Sequence, residues 1–154
     1  MIDTRQILIN QIVEKKPQLF VTFQTNDIVS LHNCRSKLSL FDYRMSDACF
    51  GGGFHKTSNE YKRFISFMFP ENGLKTSKSH IHGLYVFPYQ PETNIETFKK
   101  KANTIWRFCC SKGNIDVKTL ETVEDIRKAA SYATKTFWRD RQEDNWFLNT
   151  EFRK

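Results

Sequence analysis

The run Ser79-His80-Ile81-His82-Gly83-Leu84-Tyr85-Val86-Phe87 constrains the fold of this chain more than any other segment. It is dense in Ile, Leu, Tyr, Val and Phe, and Pro88 closes it, so it predicts a β-strand. Successive side chains of a strand point to opposite faces. His80 and His82 therefore aim their imidazoles the same way, close enough to bind one metal ion. Ile81 turns to the other face, where an apolar residue belongs. Gly83 follows at once, and a glycine in a strand often marks close approach of another backbone or a ligand. Satisfied or solvent-facing histidines are the competing reading of the pair.

A second segment carries chemistry: Ala129-Ala130-Ser131-Tyr132-Ala133-Thr134-Lys135-Thr136-Phe137. Ile126, Ala129, Ala130, Ala133 and Phe137 recur at helical spacing. Thr122 is placed to cap the helix, with Asp125 three residues on in a capping-box variant that has Asp where Glu is usual. Glu124 and Asp125 put negative charge in the first turn, where the helix dipole favours it. Tyr132 and Lys135, three apart, fall on one face of such a helix. A tyrosine and a lysine so placed can serve as a nucleophile with a cation beside it, or pack as an edge tyrosine beside a solvated lysine.

The rest of the chain supplies the frame. Residues from about Ile2 to Glu14 have helical spacing, and Pro17 ends them. Leu19 to Gln24 predicts a strand, Asp27 to about Met45 a partial helix, and Gly51-Gly52-Gly53 a turn. Lys62 to Phe69 predicts a strand that pairs antiparallel with the His strand across a long polar connection. Thr93 to Phe108 predicts a helix, Ile115 to Leu120 a strand, and the Tyr-bearing helix follows. Residues 138–154 form a charged C-terminal extension. This order fits a single α+β domain, with helices packed on a mostly antiparallel sheet.

Taken together and in this order, the two segments resemble those of a HUH endonuclease of the rolling-circle replication initiator (Rep) type. That family has a strand with His-hydrophobic-His, here His80-Ile81-His82, and then a helix with Tyr-x-x-Lys, here Tyr132-Ala133-Thr134-Lys135. Leu19-Phe20-Val21-Thr22-Phe23 is similar to the family's first motif, though many proteins have such a strand. The resemblance spans about Leu19 to Phe137. It implies a ferredoxin-like or RRM-like sheet with the His pair on a central strand.

It also implies an activity: metal-dependent nicking and rejoining of single-stranded or hairpin origin DNA through a 5′-phosphotyrosine, to start replication of a plasmid or virus. Tyr132 is then the nucleophile. A phenol titrates near about 10, so it needs a cation or metal nearby, and Lys135 fills that role. His80 and His82 hold Mn²⁺ or Mg²⁺, and imidazole ligands favour Mn²⁺. The resemblance calls for a third ligand before the His strand. Glu71 is the expected one, with His55, Gln24 and Asp27 as alternatives. A single motif tyrosine needs a second subunit, a water or another resolving step, so a homodimer is expected. No Walker A sequence is present, so helicase and polymerase come from the host, or the chain is a fragment of a longer protein.

Composition agrees. The 154 residues carry a net charge of +7, which suits a polyanionic partner. Lys56, Lys62, Arg63, Lys75, Lys78, Lys99, Lys100 and Lys101 are the expected phosphate contacts. Aromatic residues make up 14%, enough for a core with some left to stack on bases. The four cysteines have no metal-site spacing, which favours a reduced, cytoplasmic setting. No signal peptide or membrane-spanning stretch is read. A single-Tyr transposase has the same motif order, whereas a relaxase usually has its tyrosine before its histidines. A non-catalytic RRM-like nucleic-acid-binding domain explains charge and aromatics but leaves both motifs as coincidence.

Overall fold

The His strand is the middle strand of a five-stranded sheet. β1 (Leu19–Gln24), β2 (Ile65–Glu71), β3 (His80–Val86), β4 (Asn114–Thr119) and β5 (Phe147–Leu148) lie in the order β4-β1-β3-β2-β5. Every neighbouring pair is antiparallel. The helices are α1 (Thr4–Lys15), α2 (Leu31–Phe50), α3 (Pro91–Cys109) and α4 (Val123–Ala133). The computed structural model describes residues 3–27, 29–71, 79–135 and 146–153. The sequence β1-α2-β2-β3-α3-β4 on this strand order is the α+β, ferredoxin-like arrangement that the sequence implied.

Both faces of the sheet are covered, which is why β1, β2 and β3 read as nearly continuous apolar runs. On one face Leu19, Val21, Phe23, Met68, Ile81 and Tyr85 pack beneath Phe41 and Met45 of α2 and Phe98 and Trp106 of α3. On the other face Phe20, Phe67, Phe69 and Leu84 pack beneath Leu8, Ile9 and Ile12 of α1 and Ile126, Ala129 and Ala130 of α4. The pleat assigns the faces: odd positions of β1 and β3 turn to α2 and α3, even positions to α1 and α4. His80 and His82 are on the α1/α4 side, at the end of the sheet where α4 finishes.

Local chemistry sets the helix ends. Asp3 caps α1, accepting from the amides of Arg5 and Gln6. Ser30 caps α2 by accepting from the Asn33 amide at 3.2 Å, so this helix begins at Leu31 rather than near Asp27. It runs past Met45 to Gly51, whose φ of 80° ends it. The Thr122 capping box forms: Thr122 Oγ1 accepts from the Asp125 amide at 3.0 Å, and Asp125 Oδ2 accepts from the Thr122 amide at 3.2 Å. Asp thus serves where Glu is usual, and its second contact is the Glu121 amide at 3.2 Å.

The far end of α4 departs from expectation. The helix stops at Ala133, and Lys135 stands in the turn beyond it, not on the helix face. Arg5 holds this end: its Nη2 donates to the Ser131 carbonyl at 2.9 Å and its Nε to Thr134 Oγ1 at 3.1 Å. A cation on the last carbonyls suits the negative end of the helix dipole. Phe137 lies outside the described residues.

Gly83 does mark a close approach, by side chains of the core. A Cβ there would meet Tyr85 Cε1 at 2.8 Å and Met68 Sδ at 3.2 Å, both on the α2/α3 side. Gly83→Ala should therefore lower stability by about 1–3 kcal/mol through overpacking. Urea denaturation of the purified variant measures it, and an unchanged midpoint would mean that Tyr85 and Met68 yield freely.

The described part of the C-terminal extension folds back onto the sheet. Phe147 and Leu148 pair with Met68 and Phe67, and a 3₁₀ turn follows at Asn149–Arg153. Residues 138–145 lie outside the described residues. Two expectations need correction here. β2 begins at Ile65, and Lys62 ends a 3₁₀ turn, Thr57–Lys62. Arg63 is not a surface cation: it is 5% exposed, and its Nη2 donates to Asp42 Oδ2 at 3.2 Å and Ser46 Oγ at 3.3 Å. Such a side chain is a core group and is withdrawn as a DNA contact.

Candidate metal centre

Glu71 is the last residue of β2, and the β2–β3 register puts it directly opposite His80, with Phe69 opposite His82. The pleat then turns Glu71 to the same face as the two histidines. Its Oε2 is 2.8 Å from His80 Nε2 and 3.0 Å from His82 Nε2. One ligand atom from each of the three lies within 4.8 Å of the others. Glu71 and His80 are half-buried and His82 is buried. Pro70 also sits in β2, opposite Ile81 of β3 and beyond the residues that pair with β5.

The charge states suit a metal site. Hydrogen bonds from His80, then from His82, hold the Glu71 carboxyl well below the usual carboxylate range against the opposing effect of burial, with the Lys135 charge helping. Burial pushes the His82 imidazole below its ordinary value, although contact with Glu71 opposes this. At neutral pH the site therefore offers an ionised carboxylate and, at His82, a neutral imidazole, the form that donates a lone pair. The three residues can hold a metal ion.

His82 is fixed on all sides. Phe20 stacks on it at 5.4 Å and 15°, and the Tyr132 ring meets it edge-on at 5.2 Å and 75°. Thr22 Oγ1 lies 3.1 Å from its Nδ1. Tyr132 arrives from α4, half its surface exposed, with its ring also edge-on to Phe20 at 6.3 Å. Lys135 Nζ is 3.9 Å from the centre of the Tyr132 ring and 3.5 Å from Glu71 Oε1. Burial works against the Lys135 charge, yet hydrogen bonding to Tyr132 and attraction to Glu71 outweigh it and raise its pKa. Lys135 is thus a firm cation that touches both the carboxylate and the phenol ring.

The structure brings together five of the residues read from the sequence: Glu71, His80, His82, Tyr132 and Lys135. It leaves Asp27 and His55, two of the alternatives for the third ligand, outside the group. Gln24 faces His80 across the β1–β3 ladder but is exposed. Asp27 lies 3.8 Å from Lys112, and His55 packs edge-on to Phe54. The expected phosphate contacts do not gather at the centre. Lys99, Lys100 and Lys101 are exposed on α3, which covers the opposite face, and Lys99 Nζ donates to Thr119 Oγ1. Lys62 leans over the Tyr61 and Tyr89 rings at 5.6 and 5.1 Å, and Lys56 is exposed. Lys75 and Lys78 lie outside the described residues. Arg5 was not singled out from the sequence, and Phe20 and Thr22 were read only as part of the first-motif strand, with no role at the His pair. Phe20 and Thr22 share the face of the His pair only through the β1–β3 register.

Comparison with protein-family models, curated proteins and solved structures found no match. Among the described residues no helix is long and apolar enough to cross a membrane.

Proposed function

We propose that this chain is a metal-dependent DNA nicking and joining enzyme of the HUH type, with Tyr132 as nucleophile and single-stranded or hairpin origin DNA as substrate. One observation carries the reading. A half-exposed tyrosine from α4 sits against a Glu-His-His group built by two strands, with a lysine bridging the two. Neither a packed edge tyrosine nor a solvated histidine pair needs the other three residues.

In the reaction Tyr132 Oη bonds to phosphorus as the P–O3′ bond breaks. The phenolic proton leaves to solvent, and the departing 3′-oxygen takes up a proton. The products are a 5′-phosphotyrosine and a free 3′-hydroxyl, and the exchanged ester keeps the bond available for rejoining. Charge builds on the phosphoryl oxygens during the exchange. Glu71, His80 and His82 would hold a divalent cation, which would supply Lewis-acid stabilisation of that charge. Lys135 adds a fixed positive charge beside the phenol ring, which favours the anionic transition state. Phe20 and His82 orient the tyrosine ring. The reading assigns the chain to the initiation of rolling-circle replication of a plasmid or virus.

The test is a pool of single-stranded oligonucleotides labelled at the 3′ end, incubated with protein and Mn²⁺ and run on denaturing gels. The label should move to the protein with Mn²⁺ and stay free with EDTA. Absence of an adduct with either Mn²⁺ or Mg²⁺, while the DNA still binds, would replace this reading with a non-catalytic nucleic-acid-binding domain. Glu71→Gln should lower Mn²⁺ affinity by more than about 100-fold, the upper end for losing an outer hydrogen-bond partner of a metal ligand. Isothermal titration measures that loss, and unchanged binding would remove Glu71 from the site.

A further inference from the structure

We propose that Thr22 is the positioning residue of the metal centre: it holds His82 with Nε2 turned to the metal and serves as hydrogen-bond partner to Nδ1 both with and without the ion. The inference rests on the metal-centre reading above. Thr22 is the direct β1 partner of His82 in the sheet register, so the backbone ladder delivers its hydroxyl to 3.1 Å from Nδ1. A β-branched side chain is stiff at χ1, and Phe20 and Tyr132 pin the ring from two sides. The imidazole therefore presents Nδ1 to β1 and Nε2 to Glu71, with no room to exchange them.

The choice of a hydroxyl has a consequence for loading. Without metal, Glu71 Oε2 accepts from the Nε2–H groups of both histidines, at 2.8 and 3.0 Å. With Nε2–H directed at Glu71, a ring that carries one proton leaves Nδ1 bare, and Thr22 donates to it. When Nε2 gives its lone pair to a metal, the single ring proton must move to Nδ1. Thr22 then accepts. The ring carries one proton throughout, and only the hydroxyl changes role. A threonine can do both because it is donor and acceptor. A carboxylate could only accept, and a backbone amide could only donate. Thr22 thus keeps a buried ring nitrogen satisfied in both states, where a lost partner would leave it bare.

Thr22→Val keeps the shape and the strand preference but removes the hydroxyl; Thr22→Ser keeps the hydroxyl. Mn²⁺ binding, followed by the loss of the free-ion electron paramagnetic resonance signal, should weaken by about 10–100-fold in Thr22→Val and return to near the wild-type value in Thr22→Ser. The metal-free Thr22→Val protein should melt below the wild type, because Nδ1 loses its partner, and Thr22→Ser should restore it. Nitrogen-15 spectra of the wild type should show His82 protonated at Nε2 without metal and at Nδ1 with Zn²⁺, a diamagnetic ion that takes the same ligands. Equal Mn²⁺ affinity in wild type and Thr22→Val, or no change of His82 tautomer on loading, would overturn the role of Thr22 alone. Failure of the wild type to bind Mn²⁺ would overturn the metal centre and this inference with it.

Discussion

Tyr132→Phe is expected to abolish the covalent DNA adduct, a fall of at least about 10⁴-fold, in the range seen when a nucleophile is removed from a catalytic group. The substitution takes away one oxygen and little else. The ring contacts to Phe20 and His82 are edge contacts of the aromatic carbon frame, and phenylalanine keeps them. The Lys135 ammonium still sits over the ring, and the Glu71-His80-His82 group is untouched. Mn²⁺ affinity and melting temperature should therefore match the wild type, and single-stranded DNA should still bind. The readout is the 3′-labelled adduct on a denaturing gel beside Mn²⁺ titration of the same preparations. An undiminished adduct in Tyr132→Phe would move the nucleophile elsewhere. A lost adduct with weakened metal binding would instead make Tyr132 a wall of the metal site.

The elements that were legible in the sequence are those written in local patterns. The alternation of His80, Ile81 and His82 put two imidazoles on one face because a strand has a period of two, and β3 has that geometry. The cap at Thr122 is a matter of four residues and formed as read. What local pattern does not carry is register. Glu71 stands next to Asn72 and Gly73, which marks it as the start of a loop. Only its pairing with His80 makes it the end of a strand and a neighbour of both histidines. The family resemblance pointed to a ligand there, and the spacing of residues alone did not. Lys135 met Tyr132 by a different route from the one its spacing suggested: the chain leaves the helix first, and a turn returns the ammonium over the ring. The contacts of Thr22 and Phe20 with His82 were not legible, since a strand's neighbours are set by the whole topology.

Charge was the least legible property. The basic residues were read together as a phosphate-binding set, but their partners come from distant segments. Lys99–Lys101 sit on the helix that covers the face away from the metal centre. Arg63 is drawn into the core by Asp42 and joined there by Arg153 from the C-terminal turn. A net charge of +7 says that cations outnumber anions, and it is silent on which of them are already committed inside the protein.

That buried cluster leads to the largest stability effect expected in the molecule: Asp42→Ala should cost about 3–5 kcal/mol, the usual penalty for stranding a buried charge. Asp42 is 4% exposed. Its Oδ2 accepts from Arg63 at 3.2 Å, and its Oδ1 accepts from Asn149 Nδ2 at 2.7 Å. Burial, with the Glu60 charge helping, pushes the Asp42 carboxyl above its ordinary value, although Arg153, Asn149 and Arg63 work to bring it down. Asn149 in turn accepts from the Ser66 amide at 2.8 Å, and Arg153 donates to the Phe64 carbonyl at 2.6 Å. One carboxylate thus ties α2 to the start of β2 and to the C-terminal turn. Its loss would leave Arg63 and Arg153 with Glu60, half exposed, as their one remaining anion among the described residues, and a guanidinium cannot escape the cost by losing its proton. Unfolding in urea measures the loss. Limited proteolysis locates it, because cleavage should fall first within residues 146–153, which Asn149 and Arg153 anchor. The metal centre is on the other face of the sheet and touches none of these groups, so Mn²⁺ affinity in the folded fraction should hold. A variant as stable as the wild type would mean that water or Glu60 replaces Asp42 at no cost, and that the clamp on the C-terminal turn lies in the β2–β5 pairing alone.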